Sequence, residues 1–198
     1  MPPRLPQNPR ELLSLASRRW YWMPAAVLAL GIMSLVLLVG TEWIAERLLV
    51  RDIALLGAVS EIQTEVAISH LWLEEYVSGD QVPVDEINDR IVDSQRLVQG
   101  ILTDGLAGGQ VRIQPLEDPE LRLKAKSLRA HIDHFDAISR TRQHGWRQGR
   151  VEEVAVGSEL DEQYDAVFHD LLADVAFLED ALERRLEANQ GRSRVLLR

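Results

Sequence analysis

The sequence predicts an all-α protein in which an N-terminal transmembrane helix continues into an antiparallel up-down-up-down four-helix bundle. Three observations predict it. Pro24 to Gly40, PAAVLALGIMSLVLLVG, carries no charge. Four later stretches repeat apolar residues at spacings of three and four, the mark of one buried helix face. Between them lie turns of proline, glycine and aspartate, and no strand-like alternation of any length occurs.

The uncharged segment comes first. From Trp22 to Trp43 it covers about 32 Å as a helix, against a bilayer hydrocarbon core of roughly 30 Å. Trp20, Tyr21 and Trp22 stand at one end and Trp43 at the other, where amphipathic rings favour the headgroup level. Arg4, Arg10, Arg18 and Arg19 against Glu11 leave +3 before the segment; the chain totals -9, so the remainder carries -12. The positive-inside rule then makes 1–23 a basic cytoplasmic N-terminus and 24–43 the membrane span. The lipid bilayer is then a partner, and residues after about 43 lie outside the cytoplasm. The run is longer than a signal-peptide core, and VLLVGTEWIAE lacks a small-x-small cleavage site, so the segment reads as an uncleaved signal anchor. Residues 1–8 are rich in proline and polar groups, and Asn8-Pro9 begins a short basic helix leading to the span.

The bundle is expected over 44–188, with helices at about 44–78, 85–104, 119–144 and 159–188. In the first, Ile44, Leu48, Leu55, Val59, Ile62, Val66, Leu73 and Val77 fall on one stripe, and Leu49, Ile53, Leu56 and Leu71 broaden it. Gly79-Asp80 stops it. The second starts at Asp85, whose carboxylate is expected to cap free N–H groups, and it buries Ile87, Ile91, Val98 and Ile101. Gly105 closes it, and LAGGQVRIQPLED reads as a loop. That loop is no phosphate cradle, because it lacks GK[ST] and follows no strand.

The third helix opens at Asp118-Pro119, an acidic cap followed by proline in the first turn, and its seam is Leu121, Ala125, Leu128, Ile132 and Phe135. It runs out by Gly145. Ser158, with Asp161 three residues on, makes a variant capping box for the fourth. There Tyr164, Phe168, Leu171, Val175, Leu178 and Leu182 form the cleanest heptad in the chain. In this topology the fourth helix returns toward the membrane. Residues 189–198, with Arg192, Arg194 and Val195-Leu196-Leu197, read as the approach to a second span, as if the chain were the front of a longer protein.

Composition narrows the chemistry. The chain has no cysteine, which excludes disulfides and thiol catalysis. Its acidic charge argues against nucleic acid as a partner. No nucleophile–base–orienter set is visible, so no catalytic residues and no cofactor are expected within these residues. The ligand or signalling candidates are His70, Trp72, Glu74 and Glu75. His70 falls on the apolar stripe with Glu74 one turn later. This is either a buried polar pair that binds a ligand or shifts with protonation, or a core histidine satisfied by a neighbouring helix. Trp72 points toward Glu61, Glu65 and Ile68, where it anchors a subunit interface, lines a pocket or packs on a neighbour. Glu74 and Glu75 equally suit a solvated or salt-bridged role. His131 and His134 flank the third seam; bundle metal sites need paired E-x-x-H motifs, which are absent, so no metal is expected. Arg51, Arg90, Arg96, Arg122, Arg129, Arg140 and Arg142 are either anion clamps between helices or ordinary surface charges.

The stretch Ser69-His-Leu-Trp-Leu-Glu-Glu-Tyr-Val-Ser-Gly-Asp80 is similar to an HLWxEE…GD segment in the first external helix of some bacterial receptors. With the basic N-terminus, anchor and external bundle, the chain resembles the input regions of bacterial membrane sensor histidine kinases and chemoreceptors. The resemblance implies a homodimer in the bacterial inner (cytoplasmic) membrane, residues after about 43 periplasmic or extracellular and helix one near its mate, that binds a small-molecule or protein ligand and relays a stimulus through helices one and four. The output domain, a kinase or alternatively a chemotaxis or diguanylate cyclase module, is missing from this chain. Two other readings stand beside it. One is a membrane-tethered structural scaffold that senses nothing. The other is a metal or redox bundle enzyme resting on His70, Glu74, His131 and His134.

Overall fold

The structure, a computed structural model, describes residues 22–103, 105–107 and 111–196. Two compact units divide the chain between Arg47 and Leu48, and the packing below is that of the second. The fold is all-α apart from one short hairpin. In chain order it comprises α1 (Trp22–Val77), α2 (Val84–Leu102), β1 (Gly105–Ala107), β2 (Val111–Ile113), α3 (Pro119–Arg147), α4 (Val151–Val154) and α5 (Glu159–Leu196).

The expected membrane placement is corrected. Among the described residues, no helix is long and apolar enough to cross a membrane. An anchor in the bacterial inner membrane, with the remainder periplasmic or extracellular, is therefore not supported. Residues 1–21, including the basic N-terminus, lie outside the described residues, as do the side chains of Trp43, Ile44, Leu48 and Leu49 and those from 189 onward.

Helix ends follow local chemistry. At the end of α1, Gly79 adopts φ 100°; its N–H donates to the Tyr76 carbonyl at 3.1 Å, and the Asp80 N–H donates to that of Glu75 at 3.0 Å. This pair of backward bonds satisfies carbonyls that the last turn leaves free. Helix α3 begins as expected, with Asp118 accepting from the Glu120 and Leu121 N–H groups. At α5, Ser158 Oγ accepts from the Asp161 N–H while Asp161 Oδ2 accepts from that of Gly157.

Other expectations fail for local reasons. The residue before α2 is Pro83 and no side chain caps it. Asp85 lies inside the first turn, where its charge opposes the helix dipole's positive end rather than closing an N–H. The expected loop after Leu102 contains an antiparallel ladder pairing Gly105 with Ile113; three-residue strands are too short for period-two alternation to register. Gly145 does not stop α3. Its hydrogen faces Val154, and a Cβ there would sit 2.5 Å from Val154 Cγ1. The stop is Gly149, at φ 75°, whose N–H donates to the Trp146 carbonyl as the Arg150 N–H donates to that of Gly145.

The long helices pack around one core. Leu55, Val59, Ile62, Val66, Leu73 and Val77 of α1 are buried, as are Ile87, Ile91, Val98 and Ile101 of α2. Leu121, Ala125, Leu128, Ile132 and Phe135 of α3 meet Tyr164, Leu171, Val175, Leu178 and Leu182 of α5. Phe168 is half-buried, and Ile53 and Leu71 face solvent instead of the core. Polar contacts fix the helix directions. Between α1 and α5, Asp52 lies near Arg185 and His70 meets Asp165, so one number falls as the other rises. Glu65 with Arg90 and Ser69 with Ile87 set α1 against α2. Gln95 with Asp133 and Asn88 with Gln143 set α2 against α3. Each of these pairs is antiparallel.

Candidate functional site

The third seam does not end at Phe135. Continuing its spacing by four and three reaches Ser139 and Arg142, both fully buried. An arginine at a core position must bring partners with it, because an unpaired buried charge is very costly. Arg142 finds three. Its Nη1 donates to Glu74 of α1, and its Nη2 lies 2.8 Å from Asp161 Oδ1 of α5. Its Nε donates to the Val154 carbonyl of α4 at 3.2 Å. The guanidinium carbon also stands 5.1 Å from the centre of the Tyr164 ring, within cation–π range. One cation thus joins four helices and faces two carboxylates.

His70 lies beside this group, with a different partner from the one its spacing suggests. Its Nε2 donates to Asp165 Oδ1 at 2.9 Å, and Glu74 is taken by Arg142. The imidazole stacks against Phe168 with centroids 4.1 Å apart and against Tyr164 at 5.1 Å. Phe135 in turn stacks on Tyr164 at 4.5 Å. Burial pushes the Tyr164 phenol well above its ordinary range; the Arg142 charge and Ser139 only partly offset this. On the far side of α3, Gln143 Nε2 donates to Ser139 Oγ and to Asn88 Oδ1, which extends the polar contacts to α2.

The remaining candidates are elsewhere or play another part. Trp72 is half-buried outside the cluster, with the Arg90 guanidinium 4.6 Å above its ring and Arg90 paired to Glu65. Glu75 is half-buried and enters through its main chain, accepting from the Asp80 N–H. His131 Nδ1 contacts Asp174 at 3.0 Å beside Lys124, whose Nζ is 2.6 Å from the same carboxylate. Among the described residues, no group of three or more histidines and carboxylates is placed to hold a metal ion.

Asp165, and Tyr164 beyond its place in the heptad, are the residues that sequence reasoning missed, whereas Arg142 stood among seven arginines read as either anion clamps or surface charges. The signal for Arg142 was present as a charge in register with the α3 seam. Asp165 gives no such signal, since it lies beside the α5 heptad and its role depends on which helix packs there. Outside the cluster, Val154 also lines a surface cavity of about 470 Å³, together with Thr141, Arg150, Glu152, Glu153 and Leu160. No protein-family model, curated protein or solved structure matches the chain.

Proposed function

We propose that this chain is the sensory input module of a bacterial signal-transduction receptor, built as an up-down-up-down four-helix bundle. Its output would be a histidine kinase, or alternatively a chemoreceptor or diguanylate cyclase module. The observation that carries the reading is the single guanidinium of Arg142, shared by Glu74 of α1 and Asp161 of α5. Through Glu74 and Asp161 those helices share one buried cation facing two carboxylates. Such an arrangement is sensitive to any ligand that takes over one carboxylate, because the other contacts then repack. A shift of α1 against α5 is the motion available, since Glu74 lies in the last turn of α1 and Asp161 in the first turn of α5, and from there each helix continues for many turns away from the cluster.

The test is a distance. The chain has no cysteine, so spin labels at Gln63→Cys and Asp170→Cys report α1 against α5 without background. Glu74→Gln, which frees half of the Arg142 clamp, is expected to displace the α1–α5 distance or split it into two populations. If the distance stays single and unmoved while stability alone falls, the cluster is a structural tie and the signal-input reading fails.

A further inference from the structure

The cavity of about 470 Å³ lies outside the Arg142 cluster but shares Val154 with it. Thr141 of α3, the segment through α4 and the first turn of α5 enclose it, and its volume is that of a small-molecule site. Helix α4 is strung between Gly149 and Gly157, at φ 75° and 83°, sharp turns that glycine adopts without strain. Val154 is the buried residue of this helix. Its side chain packs on Gly145, and its carbonyl accepts from Arg142 Nε at 3.2 Å. A molecule in the cavity therefore touches the residue that holds Arg142.

The lining sets the class of that molecule. Val154 and the half-buried Leu160 form an apolar floor. Around it stand Glu152, Glu153 and Glu159 against the single guanidinium of Arg150, which is already paired to Glu153 at 2.9 Å. Among the described residues, Glu152 and Glu159 have no basic partner. The neutral groups are acceptors as well. The Thr141 hydroxyl spends its hydrogen on the Ala137 carbonyl, and the Gln163 amide spends a donor on Glu159, which leaves lone pairs on both. An anion is disfavoured, since the positive end of the α5 dipole already faces Glu159, Asp161 and Glu162. A metal ion is disfavoured too, because among the described residues no three carboxylates or histidines converge to hold one. Carboxylates spread around an apolar floor suit a cation that has length and only donors. We infer that the cavity binds an aliphatic polyamine. Its ammonium groups donate to Glu152 and Glu159, and its methylene chain lies on Leu160 and Val154. The binding site stands on the cavity alone; an effect of binding on Arg142 rests on the signal-input reading.

Calorimetry with spermidine on the full chain tests the site. Saturable binding is expected, and Glu152→Gln with Glu159→Gln should weaken it at least roughly tenfold by removing two charge-assisted hydrogen bonds. Glu61→Gln with Glu183→Gln removes the same charge from exposed positions elsewhere and should leave binding unchanged. Thr141→Trp fills the cavity without altering charge and should abolish it. No saturable binding overturns the proposal. Equal weakening by the two glutamate pairs, or undiminished binding in Thr141→Trp, reveals diffuse charge attraction and overturns the site. The link to Arg142 is read from the Gln63→Cys and Asp170→Cys spin-label pair, whose distance spermidine should move or split as Glu74→Gln does. A distance that responds to Glu74→Gln but not to bound spermidine overturns the link and leaves the signal-input reading standing. One that ignores Glu74→Gln sinks that reading, while calorimetry still decides the site.

Discussion

At the scale of single residues, the buried polar groups are the informative ones. Tyr164 is fully buried in the core, with its ring stacked against those of Phe135 and His70. Desolvation raises its phenol well above 10.0, so the folded state prefers the protonated form more strongly than the unfolded chain does. The contribution is therefore fully present below the ordinary phenol range and is lost as pH rises through and beyond it. Melting temperatures measured between about pH 8 and pH 11 should fall for the native chain. They should fall less steeply for Tyr164→Phe, which keeps the stacking and removes the proton. Parallel slopes for the two proteins would show that Tyr164 does not carry this dependence. Neither its burial nor most of its neighbours could be read from position 164 beyond its place in a heptad, because Arg142, Glu74 and Ser139, which act on the phenol beside Asp165, come from α3 and α1.

At the scale of elements, helices were legible where a signal repeats or is strictly local. The seams of α3 and α5 run through five or six positions each, so their period stands clear of chance. The Asp118-Pro119 start and the Gly79 stop use chemistry confined to a few neighbouring residues. What escaped depends on contacts made at a distance. Ile53 and Leu71 broaden an apolar face that suits a bundle core plus a dimer contact, and periodicity alone cannot say where one surface ends and the other begins. Gly145 looked like a stop because its true constraint is Val154, nine residues later. Gly145→Ala should therefore destabilise the protein by about 1–3 kcal/mol through overpacking, although alanine is the better helix former. The loss should largely disappear in the double variant with Val154→Ala, measured by urea denaturation. A stabilising Gly145→Ala would mean that α4 yields without cost.

At the scale of the whole molecule, polar ties recur at successive heights along α5. Asp161 and Asp165 hold one end, Asp174 the middle and Arg185 a level further on. Each tie crosses to another long helix, so residues from Leu48 onward should unfold as one cooperative unit, not helix by helix. Arg142→Met strands Glu74 and Asp161 together and should cost about 3–5 kcal/mol. Asp174→Asn removes the charge that Lys124 and His131 share and should cost less, since Lys124 is more than a third exposed and its pairing is screened by solvent. Asp161 and Asp174 are thirteen residues apart on one helix, about 20 Å, too far for direct coupling. The two losses should therefore add to within about 0.5 kcal/mol, with a single urea transition whose slope matches the native protein's. Two transitions, or a flattened slope in the double variant, would show instead that the Arg142 end opens while the Asp174 level stays closed. In that case the cluster belongs to a separately folding cap, and a shift of α1 at Glu74 need not reach the far end of α5.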